Sequence, residues 1–82
     1  MTENDEHRSV AVIEMCRRVN SAAAAKYAEQ GVSIEDIAIA SIYTAFDLAT
    51  TLEGSPMAAV EWLRTAVDVQ ERDAMSSGAT VQ

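Results

Sequence analysis

The sequence predicts an all-α fold made of three helices. Fifteen alanines among 82 residues, with one proline and three glycines, favour helix over other backbone structures. Gly31 and Gly54 separate long segments whose apolar residues recur at the three- and four-residue spacing of a helix. We therefore expect a helical hairpin followed by a third helix, over about residues 7–30, 33–52 and 56–75.

The central helix, residues 33–52, is predicted to organise the fold. Ser33 can cap its first turn, and Asp36 follows three residues later, where an acid is favourable. The apolar arc of this helix covers more than half of its circumference, with a floor of small residues at Ala38, Ser41, Ala45 and Ala49. An arc this wide needs neighbours on more than one side, so it predicts a core contact shared with a second chain.

The first helix carries an apolar stripe on one face. This stripe consists of Val12, Met15, Cys16, Val19, Ala23 and Tyr27. Gly31 suits the left-handed position that ends a helix, and Ser33 starts the next helix almost at once. Such a short connection predicts that the two helices are adjacent and antiparallel.

The third helix is predicted to start after strong turn signals. Gly54 can end the central helix, Ser55 can cap the third, and Pro56 fits its first turn. Its main apolar face is predicted to consist of Val60, Leu63, Val67 and Ala74. Trp62 and Val69 lie off that face, on a second seam with Ala66. We interpret this seam either as contact with another chain or as the cover of a small core.

We expect one domain over residues 7–75, between a disordered acidic tail at 1–6 and a disordered tail at 76–82. A chain of this length buries only about 60% of its unfolded surface, so its stability is marginal without further contacts. A single cysteine excludes an internal disulfide. Oligomerisation is therefore the expected source of additional burial, and a dimeric helical bundle is the expected assembly.

The charge and the composition limit the cellular location and the classes of binding partner that the sequence predicts. The net charge of −7 arises after residue 26, because residues 27–82 hold nine acids and two arginines. An acidic surface repels nucleic-acid phosphates, so no nucleic-acid partner is predicted. The polar N-terminus is unlike a signal peptide, no apolar run approaches the ~18 residues of a membrane span, and the lone Cys16 fits a reducing compartment. We expect a cytoplasmic protein without a membrane partner, with Cys16 as a small buried hydrophobe.

No catalytic constellation is found in the sequence. His7 is isolated in the polar N-terminal segment, and Cys16 lies on an apolar stripe, so no nucleophile has a base beside it. The carboxylates are scattered over predicted helix surfaces rather than clustered with other metal ligands. No enzymatic activity, cofactor or metal is predicted.

These observations favour a small non-catalytic helical protein–protein interaction module that acts as a homodimer. A regulatory role is one function that such a module can have. Its interface is predicted to contain Ile39, Ile42, Phe46, Trp62, Ala66 and Val69. Besides a second copy of the chain, a different protein is the other binding partner that the sequence allows. An acidic inhibitor or nucleic-acid mimic that occupies a basic groove is the alternative function. A helix-turn-helix DNA-binding regulator is more distant, because its second helix would open with Glu35 and Asp36 and lacks base-reading side chains.

Overall fold

The chain folds into three consecutive α-helices. The computed structural model describes the backbone of residues 2–78 and the side chains of residues 8–76. The helices are α1 (Thr2–Glu29), α2 (Ile34–Glu53) and α3 (Pro56–Gly78), and no β-strand occurs within the described backbone. The predicted all-α, three-helix fold is confirmed, and its assembly into a dimeric bundle stays a prediction.

Two helix boundaries differ from the predicted ones. α1 begins at Thr2, so residues 2–6 of the predicted acidic tail belong to the helix. Acids are favourable at this end because the free N–H groups of a helix N-terminus carry partial positive charge. α3 continues to Gly78, three residues beyond its predicted end at about residue 75. The remainder of the two predicted tails, Met1 and residues 79–82, lies outside the described residues.

Two glycines end helices in the left-handed conformation. Gly31 has a φ of +91°, and the N–H of Val32 donates to the carbonyl oxygen of Tyr27 at 3.1 Å. This six-residue bond characterises the Schellman motif. Gly54 has a φ of +90°, and its N–H donates to the carbonyl oxygen of Thr50 at 2.8 Å. Both positions favour glycine, which has no Cβ to oppose a positive φ.

Serines begin the helices that follow these turns. Ser33 Oγ accepts a hydrogen bond from the N–H of Asp36 at 3.0 Å, and Ser55 Oγ accepts one from the N–H of Ala58 at 3.1 Å. Each bond satisfies a backbone donor that has no partner within the helix. Pro56 occupies the first position of α3, where a missing N–H costs nothing. Both predicted caps are confirmed.

The chain divides into two compact units that share α2, one up to Ala38 and one from Ile39 onward. The first unit contains α1 and the first residues of α2, and Ile37 is its buried hydrophobic side chain among the described residues. The side chains of residues 8–23, including Cys16, are exposed. The prediction that Cys16 is buried is therefore wrong for the single chain, because no described residue of this unit covers the apolar stripe of α1.

The second unit is a hairpin of α2 and α3, joined by a two-residue turn. Ala49 is 2% exposed and Ala59 is fully buried. Side chains this small let two helix backbones approach closely. The half-buried side chains of the hairpin all lie near the turn: Ala45, Phe46, Thr50, Ser55, Ala58, Val60, Leu63 and Ala66. The small-residue floor at Ala45 and Ala49 is thus part of the contact between the helices, as its composition predicts.

The packed side of α3 differs from the predicted main face. Ala59 is the fully buried side chain of α3, and Ala66 and Leu63 are half-buried. These three residues form the side of α3 that packs within the hairpin, which we call the packed stripe. Val67 and Ala74, which were predicted to belong to the core-facing side, are exposed. Because α3 packs through its alanines, the flank that carries Val67 is left uncovered.

Candidate interaction surface

The predicted interface residues all lie in the hairpin unit, three on α2 and three on α3. Exposed side chains belong to Ile39, Ile42, Trp62 and Val69, and half-buried side chains to Phe46 and Ala66. Phe46 and Ala66 lie at the edge of the packed part of the hairpin, whereas Ile39, Ile42 and Val69 lie farther from the turn. The exposed fraction of Ile42 is 65%. The structure therefore leaves four of the six predicted interface side chains exposed in the single chain and two half-buried.

A second apolar surface lies on α3, on the other flank of the packed stripe from Trp62 and Val69. It is an open depression of about 440 Å³ lined by Val60, Leu63, Arg64, Val67 and Asp68. We call this surface the α3 hollow. The spacing of Val60, Leu63 and Val67 identifies an apolar stripe in the sequence, but the sequence does not show that the stripe stays open, since that depends on how α3 is rotated against α2.

The charged groups are solvent-facing in the described residues. The carboxylates of α2 and α3 are exposed at Glu35, Asp36, Asp47, Glu53, Glu61, Asp68, Glu71 and Asp73. Glu14 pairs with Arg17 at 3.0 Å and Glu61 with Arg64 at 3.3 Å, each within one helix turn. Exposed ion pairs of this kind contribute about 0–1 kcal/mol each. These two ion pairs therefore contribute little to the stability of the fold.

Histidine and cysteine each occur once in the sequence, as His7 and Cys16. No group of three or more His, Cys, Asp or Glu side chains among them is arranged to hold a metal ion. The side chain of His7 lies outside the described side chains, and Cys16 stands exposed on α1. The non-catalytic character of the protein stays a prediction.

Comparison with known protein families, characterised proteins and solved structures finds no match for this chain. Within the part of the chain that is described, no helix combines the length and the apolarity needed to traverse a bilayer.

Proposed function

We propose that this protein is a non-catalytic helical interaction module that acts as a homodimer. The supporting observation is the exposure of large apolar side chains on the hairpin, among them Ile42 and Trp62. Burying them in an assembly removes apolar surface from water, which contributes about 25 cal/mol per Å². A second copy is always present at the same concentration and brings the same surface, so two-fold pairing is the simplest arrangement.

The interface of this dimer contains Ile39, Ile42, Phe46, Trp62, Ala66 and Val69. Trp62 is its expected anchor, because tryptophan combines a large apolar area with an N–H group and is enriched among residues that dominate binding energy. The dimer functions in the cytoplasm, which the lone Cys16 favours. The exposed acids of α2 and α3 then form the outer surface, where a regulated protein would bind.

The molar mass of the untagged protein in solution tests this proposal. Light scattering over a wide concentration range, at two salt strengths, should give twice the chain mass of 8.8 kDa. The mass should persist on dilution and at high salt, because apolar contacts are not screened by ions. A stable monomer at every concentration would contradict the proposal, and the exposed hairpin surface would then belong to a different protein partner.

An acidic inhibitor that occupies a basic groove of a target protein is the second candidate. It is favoured by the exposure of all the described carboxylates of α2 and α3, in the part of the chain that carries the whole net charge of −7. Binding of such an inhibitor to a basic protein should weaken steeply between low and physiological salt. Binding that is independent of salt would remove this candidate and leave the apolar hairpin surface as the functional one.

A further inference from the structure

We propose that α1 pairs with α1 of the second copy in antiparallel orientation, about a two-fold axis at residues 15 and 16. The inference rests on the proposed homodimer and names a further surface that its two copies share. All six members of the apolar stripe of α1 are exposed in the single chain. Two separate properties of α1 indicate a second α1 as the cover of this stripe: the distribution of charge along the helix and the order of side chains along the stripe.

α1 is acidic in its first half and basic in its second half. Residues 2–15 hold four acids and one arginine, a net −3, and residues 16–29 hold three cations and one acid, a net +2, with histidine neutral. Leaving out Glu14 and Arg17, which pair with each other, still gives −2 and +1. An antiparallel pair places each half beside the half of opposite charge over about 42 Å, whereas a parallel pair places like charges together. The charges of α1 therefore complement those of its own inverted copy.

The middle of the stripe is nearly symmetric under the same inversion. When residues 15 and 16 oppose each other, Val12 lies opposite Val19 and Met15 lies opposite Cys16. The midpoint of the helix, Thr2–Glu29, also falls between residues 15 and 16, so the two copies overlap along their full length. A two-fold interface has to complement itself, and this requirement applies to a second copy but not to an unrelated partner.

Tyr27 is covered by an arginine in this arrangement. Arg8 lies opposite Ala23 of the second copy, where a small side chain leaves room for it. Long helical side chains lean towards the N-terminus of their own helix, so in an antiparallel pair Arg8 and Tyr27 lean towards each other across one helical turn. A guanidinium group over an aromatic ring is attracted by the electrons of the ring. Both side chains are exposed in the single chain and free to make this contact.

A second antiparallel register has to be weighed against the first. Centring the pair on the whole stripe, from Val12 to Tyr27, moves the axis to residues 19 and 20 and brings these two side chains opposite each other. It also leaves residues 2–9, with three acids, beyond the end of the second copy and places Lys26 opposite Ile13. With the axis at residues 15 and 16, Lys26 lies instead beside the acid-rich first turns. The charges therefore favour that axis.

Disulfide trapping between two copies tests the inference. Cys16 is the only cysteine, so mild oxidation of the wild type measures trapping at the axis directly. Two further variants carry Cys16→Ser with either Val12→Cys or Val19→Cys. Each is oxidised alone and after the two have been unfolded and refolded together, and the covalent dimer is measured on a non-reducing gel. Neither variant can form a disulfide within one chain, because each holds a single cysteine.

The expected pattern is trapping of the wild type and of the mixture, several-fold above either variant alone. Opposed residues bring their Cα atoms within the roughly 7 Å that a disulfide needs, whereas two copies of residue 12, or of residue 19, are offset by about 10 Å along the helix. Parallel pairing would instead trap each variant alone, and the axis at residues 19 and 20 would trap Val19→Cys alone; either result overturns the inference. So does a lack of preference for the mixture while light scattering still shows a dimer. A monomer in light scattering would refute the homodimer itself.

Discussion

Replacing Trp62 by alanine gives the sharpest test of the proposed interface. The Trp62 side chain is 43% exposed in the single chain. Since an aromatic side chain buries up to about 250 Å², about 100 Å² of it is available to a partner. At about 25 cal/mol per Å², covering this area contributes about 2.5 kcal/mol per chain. A symmetric dimer loses this contribution twice, about 5 kcal/mol in all, so Trp62→Ala should weaken dimerisation by about 10³- to 10⁴-fold.

Two measurements follow this loss separately from the folding of the helices. Sedimentation equilibrium over a dilution series gives the dissociation constant, and far-ultraviolet circular dichroism gives the helix content at each concentration. Trp62 is the only tryptophan, so its fluorescence emission in the wild type should shift to longer wavelength as the dimer dissociates. Met57→Ala is the matched control, because Met57 is a large exposed side chain of α3 outside the predicted interface. It should change the dissociation free energy by about 0.5 kcal/mol or less.

Either of two results would refute this account of Trp62. An unchanged dissociation constant in Trp62→Ala would show that the partner does not cover the indole ring. A parallel loss of helix content and of dimer would show that Trp62 stabilises the hairpin itself, and that its exposed part has no role in assembly.

The remaining predictions concern the hairpin and are measured by urea unfolding followed by circular dichroism. Ser55→Ala should destabilise the protein by about 1 kcal/mol, because the N–H of the third residue of α3 loses its acceptor. Gly54→Ala should cost about 1–2 kcal/mol, because its φ of +90° opposes a Cβ; no loss would show that the turn adopts another conformation. Ala59→Leu should cost about 1–3 kcal/mol by overpacking, whereas the matched variant Ala74→Leu, at an exposed position of α3, should be nearly neutral. Equal costs for the two leucine variants would contradict the close approach of α2 and α3.

The turns could be predicted from the sequence because their chemistry is local. A glycine followed within two residues by a serine cap is enough to end one helix and begin the next. Ser33 and Ser55 each accept a backbone hydrogen bond at the start of the helix that they were predicted to cap. The start of α1 could not be predicted in the same way, because residues 2–6 contain acids that suit both a solvated tail and a first helical turn.

The burial of individual side chains was predictable only where small residues determine it. Ala45 and Ala49 lie in the contact with α3 because only small side chains permit a close approach. Cys16 and Val67 show the limit of the same reasoning. Each lies on an apolar stripe, but a stripe is buried only if another helix reaches it, and periodicity along one helix carries no information about the position of the next.

The hairpin buries small side chains and leaves large ones exposed, and this affects both the stability of the fold and its proposed assembly. The two most deeply buried residues of the hairpin, Ala49 and Ala59, each contribute one methyl group, whereas Ile42 and Trp62 remain in contact with water. Burial of a large apolar side chain stabilises by about 1.5–3 kcal/mol, far more than burial of a methyl group. Ordering the backbone costs about 1–2 kcal/mol per residue whether or not large side chains are covered. In the proposed dimer, covering Ile42 and Trp62 would add hydrophobic stabilisation that the buried alanines do not supply.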